Sequence, residues 1–443
     1  MRRPAVGELP VGRVLAAALG ARVGIDTVQQ LFNPFLAVFA VGFGTSVTVL
    51  GSVVALRSLT GFVGPFAGAW ADRVGYLPAL RWSLLATTVG VAGFAAAPNV
   101  VWAAVAVVPM GVGLTVFIPS LQALLSARLP FEQRAAGLGT IEYAWALSGV
   151  IGLSLLGLAI HHAGWRVPVA ALAGFLGLLW VGTMWLRDPG ARTAARSRPK
   201  APTEPQRATP LRRPSPSRTR AFTLSSTTER AAAFLSLGPA RRSAWSAIAI
   251  VGLTFFAMMT VFVVHGAWLQ DAFELRPDQL GAVALWLGLC DLVGVLVVAR
   301  VADRFGKRRM LIVGAGLGAA AYPAVTALPL GLWGALAGLG LLRFALQLTY
   351  VSNLPLLSEQ VPASRGKVLA LGFAVGQLGL ATAAIVGPWL YVRSGSAGLG
   401  AAAGAATLVV LFLALAWLRE RPDAAAVATE IPRRTTPALE EAP

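Results

Sequence analysis

A charged turn occurs twice in this chain and limits what it can fold into. Gly68-x-x-Ala71-Asp72-Arg73-x-Gly75 returns as Ala299-x-x-Ala302-Asp303-Arg304-x-Gly306. Each copy closes one apolar run and precedes another. The surroundings repeat too: Leu129-Pro-Phe-Glu-Gln-Arg134 matches Val361-Pro-Ala-Ser-Arg365 at nearly the same distance beyond its turn. Of the 443 residues, 56% are hydrophobic and 13% charged, against about 25% charged in an ordinary soluble domain. A duplicated, charge-poor chain of this kind reads as a polytopic membrane protein. Two like halves around a shared centre are the architecture of a secondary transporter.

A helical span needs about 20 apolar residues. Twelve runs qualify, at roughly 14–40, 46–70, 78–97, 100–126, 136–160, 166–186, 244–269, 279–302, 310–328, 331–357, 367–391 and 397–418. They are called spans 1 to 12 below. The links Gly42–Ser46, Ala96–Val100 and Pro329–Gly331 carry no charge, whereas the alternate links carry Arg73 and Arg81, Arg128 and Arg134, Arg304 to Arg309, and Arg365 and Lys367. Basic links stay on the cytoplasmic side, which puts both termini in the cytoplasm and the protein in the plasma (inner) membrane. The first run follows Arg2 and Arg3 without a nearby small-residue cleavage site, so it reads as a retained span. The expected division is a six-helix bundle over 1–186, a basic Pro/Ser-rich cytoplasmic linker over 187–243, a second six-helix bundle over 244–418, and a disordered cytoplasmic tail over 419–443. The linker reads as a solvated connection; contact with anionic lipid is the alternative.

The net charge of +18 lies in these loops and the linker, not in a folded patch, so nucleic acid is not an expected partner. Cys290 is the only cysteine, which excludes a disulfide framework and a cysteine-based metal site. No Gly-x-x-x-x-Gly-Lys-Ser/Thr loop and no His-Glu-x-x-His motif occurs. Neither ATP hydrolysis through a P-loop nor metalloenzyme chemistry is indicated, and no cofactor is expected.

The two turns resemble the signature of the major facilitator superfamily, which joins spans 2–3 and 8–9 of a twelve-helix fold. The first copy supplies Gly68, Asp72, Arg73 and Gly75, then departs with Tyr76 and Leu77 where basic residues are usual. The second supplies Asp303, Arg304 and Gly306 followed by Lys307, Arg308 and Arg309, with Ala299 at the first glycine. The resemblance implies an all-α membrane protein of two pseudo-symmetric six-helix bundles. It also implies alternating access, and a latching role for these turns in the outward-facing state. Two family features are missing: the buried arginine of span 4 in many proton-coupled members, where this chain reads Val107-Val-Pro-Met-Gly-Val-Gly, and the Gly-Pro pair of span 5 in many antiporters, where it reads Ser148-Gly-Val-Ile-Gly152, with Gly387-Pro388 in span 11 instead.

Arg22, Asp26, Arg57, Glu142, Asp291 and Arg343 lie within predicted spans. At ~3 kcal/mol each in lipid, six unpaired charges would cost roughly 18 kcal/mol, more than the 5–15 kcal/mol stability of a typical domain. They must face the protein interior. Span 1 carries Arg22, Asp26, Gln29, Gln30 and Asn33 as one helical stripe. Arg22 is spaced to pair with Asp26, and Arg57 of span 2 is a rival partner. Span 10 carries Arg343, Gln347 and Tyr350, with Asp291 of span 8 as the partner expected for Arg343 and an anionic cargo as the alternative. Asp26, Gln30, Asn33, Arg57, Glu142, Asp291, Arg343 and Gln347 are the candidate substrate and coupling residues. His265 and Trp268 read as residues of the outer end of span 7, with Trp268 an interface anchor and a place at the cavity mouth the alternative. The function that follows is proton-coupled secondary transport of a small organic solute, with export favoured. The alternative is uptake or uncoupled diffusion of a solute, anionic if Arg57 or Arg343 contacts it. The expected partners are that solute, protons and the lipid bilayer, with the protein a monomer.

Overall fold

The computed structural model describes residues 11–128, 141, 143–185, 241–361 and 365–420. Among them every regular element is a helix. Nine helices are long and apolar enough to cross a membrane, and two shorter apolar ones are Phe32–Gly42 and Val47–Val63. Spans 3, 4, 6, 8, 9 and 10 are Tyr76–Ala96, Val100–Arg128, Arg166–Met184, Pro277–Phe305, Lys307–Ala327 and Gly331–Glu359. The others are interrupted. Span 1 is Val11–Gln30 and Phe32–Gly42, kinked at Leu31. Pro34 lacks the N–H that would bond the Gln30 carbonyl, and its ring crowds that carbonyl, so the helix bends there. Span 2 is Val47–Leu59, a 3-10 turn and Gly64–Val74. Span 5 contains a π-helical turn, Ser148–Leu153, between Ala144–Leu147 and Ser154–Ala163. Span 7 is Arg241–Phe262 and His265–Phe273.

The last helix, Arg365–Ala416, has 52 residues, about 78 Å at 1.5 Å per residue and far longer than a ~30 Å hydrocarbon core. Gly395 divides it with φ 61° and ψ −160°, giving spans 11 and 12. The described residues therefore make twelve crossings, as the apolar runs predict.

The halves meet through symmetry-related pairs. Span 2 packs on span 11, span 5 on span 8, and the outer parts of spans 1 and 7 on each other. Exchanging the two halves maps span 2–span 11 onto span 8–span 5. Within each half the pairs also correspond, with span 3 against spans 4 and 6, and span 9 against spans 10 and 12. The repeated turns match in backbone as well as sequence. Gly75 and Gly306 hold φ of 97° and 89°, a region that strains any residue with a Cβ. This is a physical reason for glycine at the end of both signatures.

Small residues allow the close approach between halves. A Cβ on Gly266 of span 7 would collide with the Pro34 carbonyl of span 1. One on Gly51 of span 2 would collide with the Ala384 carbonyl of span 11, and one on Gly281 of span 8 would crowd the Ser154 carbonyl of span 5. Ser154 Oγ also donates to the Gly281 carbonyl at 3.1 Å. Replacing Gly266 with valine is therefore expected to cost the closed contact about 1–3 kcal/mol. With Cys290 changed to serine, a cysteine at Asn33 should then react faster with a membrane-impermeant thiol reagent added on the span 1–span 7 loop side. Unchanged labelling would count against this contact as the seal.

Candidate functional site

Each buried charge inside a described span has a partner supplied by the protein. Arg22, Asp26, Arg57, Asp291 and Arg343 are 5%, 0%, 7%, 1% and 4% exposed. Arg22 Nε donates to both oxygens of Asp26 at 3.0 Å, so the pair forms along span 1 as its spacing allows. Arg57, the rival, turns elsewhere. Its Nη1 donates to the Val28 and Gln29 carbonyls at 3.1 and 3.0 Å, and its guanidinium lies 5.1 Å from the centre of the Phe32 ring. These carbonyls sit beside the kink at Leu31.

Gln30 crosses to span 5. Its Nε2 donates to the Trp145 carbonyl at 3.1 Å and to Ser148 Oγ at 2.6 Å, and Ser148 Oγ donates to the same carbonyl at 2.7 Å. The contact falls where the π-helical turn begins, a register change that leaves carbonyls for other donors. The side chains of Glu142, Asp72 and Asp303 lie outside the described residues.

In the second half, Asp291 is held from two positions of span 10. Arg343 donates from Nε to Oδ1 at 2.9 Å and from Nη2 to Oδ2, and Gln347 Nε2 donates to Oδ1 at 2.9 Å. The two-pronged arginine contact fixes the carboxylate in plane. The Arg343 guanidinium also lies 5.1 Å from the Phe262 ring centre in span 7. Each half thus clamps one arginine against a phenylalanine of its own first span.

His265 and Trp268 lie in the outer part of span 7, as expected, but Trp268 is not an exposed interface anchor. They are 2% and 8% exposed, inside the contact of spans 1 and 7 and not at a lipid interface. The break before His265 and the close approach of Gly266 to Pro34 bury them. His265 Nδ1 lies 2.7 Å from the Phe262 carbonyl. As that atom can only accept, Nδ1 carries the proton and Nε2 is left as an acceptor. A cavity of about 20 Å³ there is bordered by Asn33, His265 and Arg343 among others.

A larger cavity, about 470 Å³, lies between the halves on the side of the signature turns. Gln29, Arg57 and Gln122 border it from the first half, and Phe255, Tyr350 and Gln377 from the second. Asp26 and Asp291 do not border it. Its walls are mainly Leu, Ile, Val and Phe side chains and glycine backbone, with three amides, three hydroxyl-bearing residues (Ser58, Thr115 and Tyr350) and one guanidinium. The sequence reading singled out Gln29, Arg57 and Tyr350 but gave no sign of Gln122 or Gln377, which stand alone in apolar runs.

The basic residues that follow the second signature turn are engaged within their own half. Arg73 and Arg304 are exposed. Lys307 Nζ donates to Glu359 Oε1 at 2.6 Å, and the Lys307 and Arg308 amides donate to Glu420 at 3.2 and 3.4 Å. Arg308 donates to the Ala414 and Leu415 carbonyls at 3.1 and 2.9 Å, closing the end of span 12.

The model of the Major Facilitator Superfamily matches residues 18–269 and 247–441. The chain belongs to this superfamily. An uncharacterized superfamily-type transporter of Bacillus subtilis strain 168, YceJ, is 25% identical over 380 residues, 83% of this chain and 86% of its own. A probable anion transporter 1, chloroplastic, of Oryza sativa subsp. japonica is 32% identical over 133 residues, 28% of this chain and 25% of its own. The crystal structure of a D-xylose-proton symporter superposes with a TM-score of 0.70 at 16% identity, covering 93% of this chain and 98% of that one. The superfamily fold and its relatives make this a multi-pass membrane protein and a secondary transporter of a small molecule, not an enzyme.

Removing one partner of the Asp291–Arg343 pair strands a buried charge, which costs about 3–5 kcal/mol. Asp291→Asn and Arg343→Gln should each lower the thermal midpoint of the purified protein. The double variant should lose much less than the two singles combined, because neither charge remains. Additive losses in that cycle would show that the two groups do not act as a pair.

Proposed function

We propose that the protein is a proton-coupled exporter of a small, largely apolar organic solute, working by alternating access. The 470 Å³ cavity bordered from both halves supports this reading most directly. If the basic links are cytoplasmic, as their charge argues, the cavity faces inward. The opposite side is then sealed by spans 1 and 7. An apolar chamber facing the cytoplasm suits a solute that partitions into the inner leaflet, and its amides and guanidinium would orient one polar group of the cargo.

Asp291 is the proposed coupling carboxylate. Its partner Arg343 borders the small cavity walled by spans 1 and 5 of the first half and 7, 8 and 10 of the second, so rocking of the halves would change the surroundings of the pair. A carboxylate whose arginine partner is repositioned changes its proton affinity. Asp26 is bound by Arg22 four residues away in the same helix. That pair would move with the first half as one body, so its role here is to hold the polar stripe of span 1. Gln30 and Asn33 extend the stripe to the interface with the second half. The turns around Gly68, Asp72, Arg73, Gly75, Asp303, Arg304 and Gly306 are proposed as the latch of the outward-facing state.

One observation favours a second reading. Arg57 borders the cavity, and a relative over about a quarter of the chain is a probable anion transporter. Uptake or uncoupled passage of an anionic solute would use that guanidinium as its counter-charge.

Flux in proteoliposomes with an imposed pH gradient tests these readings. Under the first, wild-type protein accumulates an apolar solute against its gradient, and Asp291→Asn retains equilibration while losing accumulation. Arg57→Gln should leave neutral cargo within about threefold of wild type, whereas an anion held by that guanidinium would lose at least tenfold in affinity. Accumulation unchanged in Asp291→Asn would remove this carboxylate from coupling.

A further inference from the structure

We propose that a groove between the start of span 7 and the end of span 12 binds an anionic phospholipid, with its phosphate at Arg241 and Arg242 and an acyl chain along the apolar wall. The groove has a volume of about 490 Å³ and lies at the end of the molecule that carries the signature turns. Arg241 and Arg242 form its rim, and Trp245, Ala249, Leu413 and Trp417 line the wall.

The charge arrangement calls for an anion. Both arginines are exposed, adjacent in sequence and at the start of the described part of span 7. The two cations repel each other, and neither forms an ion pair with a described carboxylate. A phosphate would satisfy both guanidiniums.

The wall decides which phosphate-bearing molecule fits. A free ion would need the rim alone and would leave the indoles and aliphatic groups beneath it without a partner. A phospholipid covers both, and tryptophans at this depth suit the headgroup level of a bilayer. The groove is also held in shape by the fold. The Arg419 amide donates to Ser243 Oγ at 3.0 Å, and Gln360 Nε2 donates to the Arg419 carbonyl at 3.1 Å. These bonds tie the end of span 12 to span 7 and span 10, so the two walls stay together.

The test uses the delipidated full-length protein, with native mass spectrometry and thermal unfolding as readouts. The probes are dioleoylphosphatidylglycerol, dioleoylphosphatidylcholine and inorganic phosphate. Phosphatidylglycerol should bind at one site more tightly than phosphatidylcholine and raise the unfolding midpoint. At roughly fivefold per arginine, Arg241→Gln/Arg242→Gln should weaken that binding by about thirtyfold. Arg393→Gln, a charge loss at the opposite end, should leave it unchanged, and Trp417→Ala should weaken it without abolishing the preference for the anionic headgroup. Unfolding midpoints without lipid show whether each variant is folded. Equal binding of the two lipids, or an undiminished site in the double arginine variant, overturns the proposal. Inorganic phosphate protecting as well as phosphatidylglycerol overturns the lipid assignment.

Discussion

A charge inside hydrocarbon has to find its partner within the protein, and the arrangement of the spans follows from that requirement. Arg22, Asp26, Arg57, Asp291 and Arg343 are all nearly inaccessible, and each is met by a carboxylate, a guanidinium or a carbonyl of its own half. The cost of leaving any of them in lipid fixes which face of spans 1, 2, 8 and 10 turns inward. The apolar remainder of those helices, and spans 3, 6, 9 and 12, whose charges lie only near their ends, can then face lipid. Polar side chains therefore set the orientation of helices that apolar burial alone would leave free to rotate.

The charges are settled inside each half, so the contact between halves is made mostly of small groups. Glycines in spans 2, 5, 7 and 8 bring the halves close together, and few polar bonds cross. Such a seam resists separation less than a network of ion pairs would. The division suits a protein whose halves move against each other around a cavity, because the bonds that hold each half, the proposed coupling pair Asp291–Arg343 aside, need not break in the movement. The basic residues after Gly306 follow the same pattern, spending their hydrogen bonds on Glu359, Glu420 and the end of span 12.

Much of this was legible along the chain. The doubled turn, the apolar runs and the alternation of basic links gave twelve crossings and a repeat, because lipid imposes a minimum length and loops carry charge. The spacing of Arg22 and Asp26 announced their bond, since four residues bring side chains onto one helical face. The partnership of Arg343 with Asp291 was one of two options, as spans 8 and 10 are far apart in sequence. Arg57 was harder to place. Its acceptors are main-chain carbonyls beside a kink, and a backbone acceptor has no signature of its own. Trp268 was read as a lipid-interface anchor because a tryptophan near a span end is usually one; its burial against span 1 depends on the packing of the two halves, which no local stretch announces.

The sequence alone determined the class of fold, the duplicated halves and which side chains had to be buried, because hydrocarbon penalises exposed charge and backbone regardless of how helices are arranged. Tertiary packing decided which buried groups meet: the guanidinium of Arg57 on the span 1 carbonyls, Gln30 on the π-helical turn of span 5, and the cavity bordered by Gln122 and Gln377. Those contacts join residues from helices whose relative rotation and kinks are set by all their neighbours together, and no local stretch of chain contains that information.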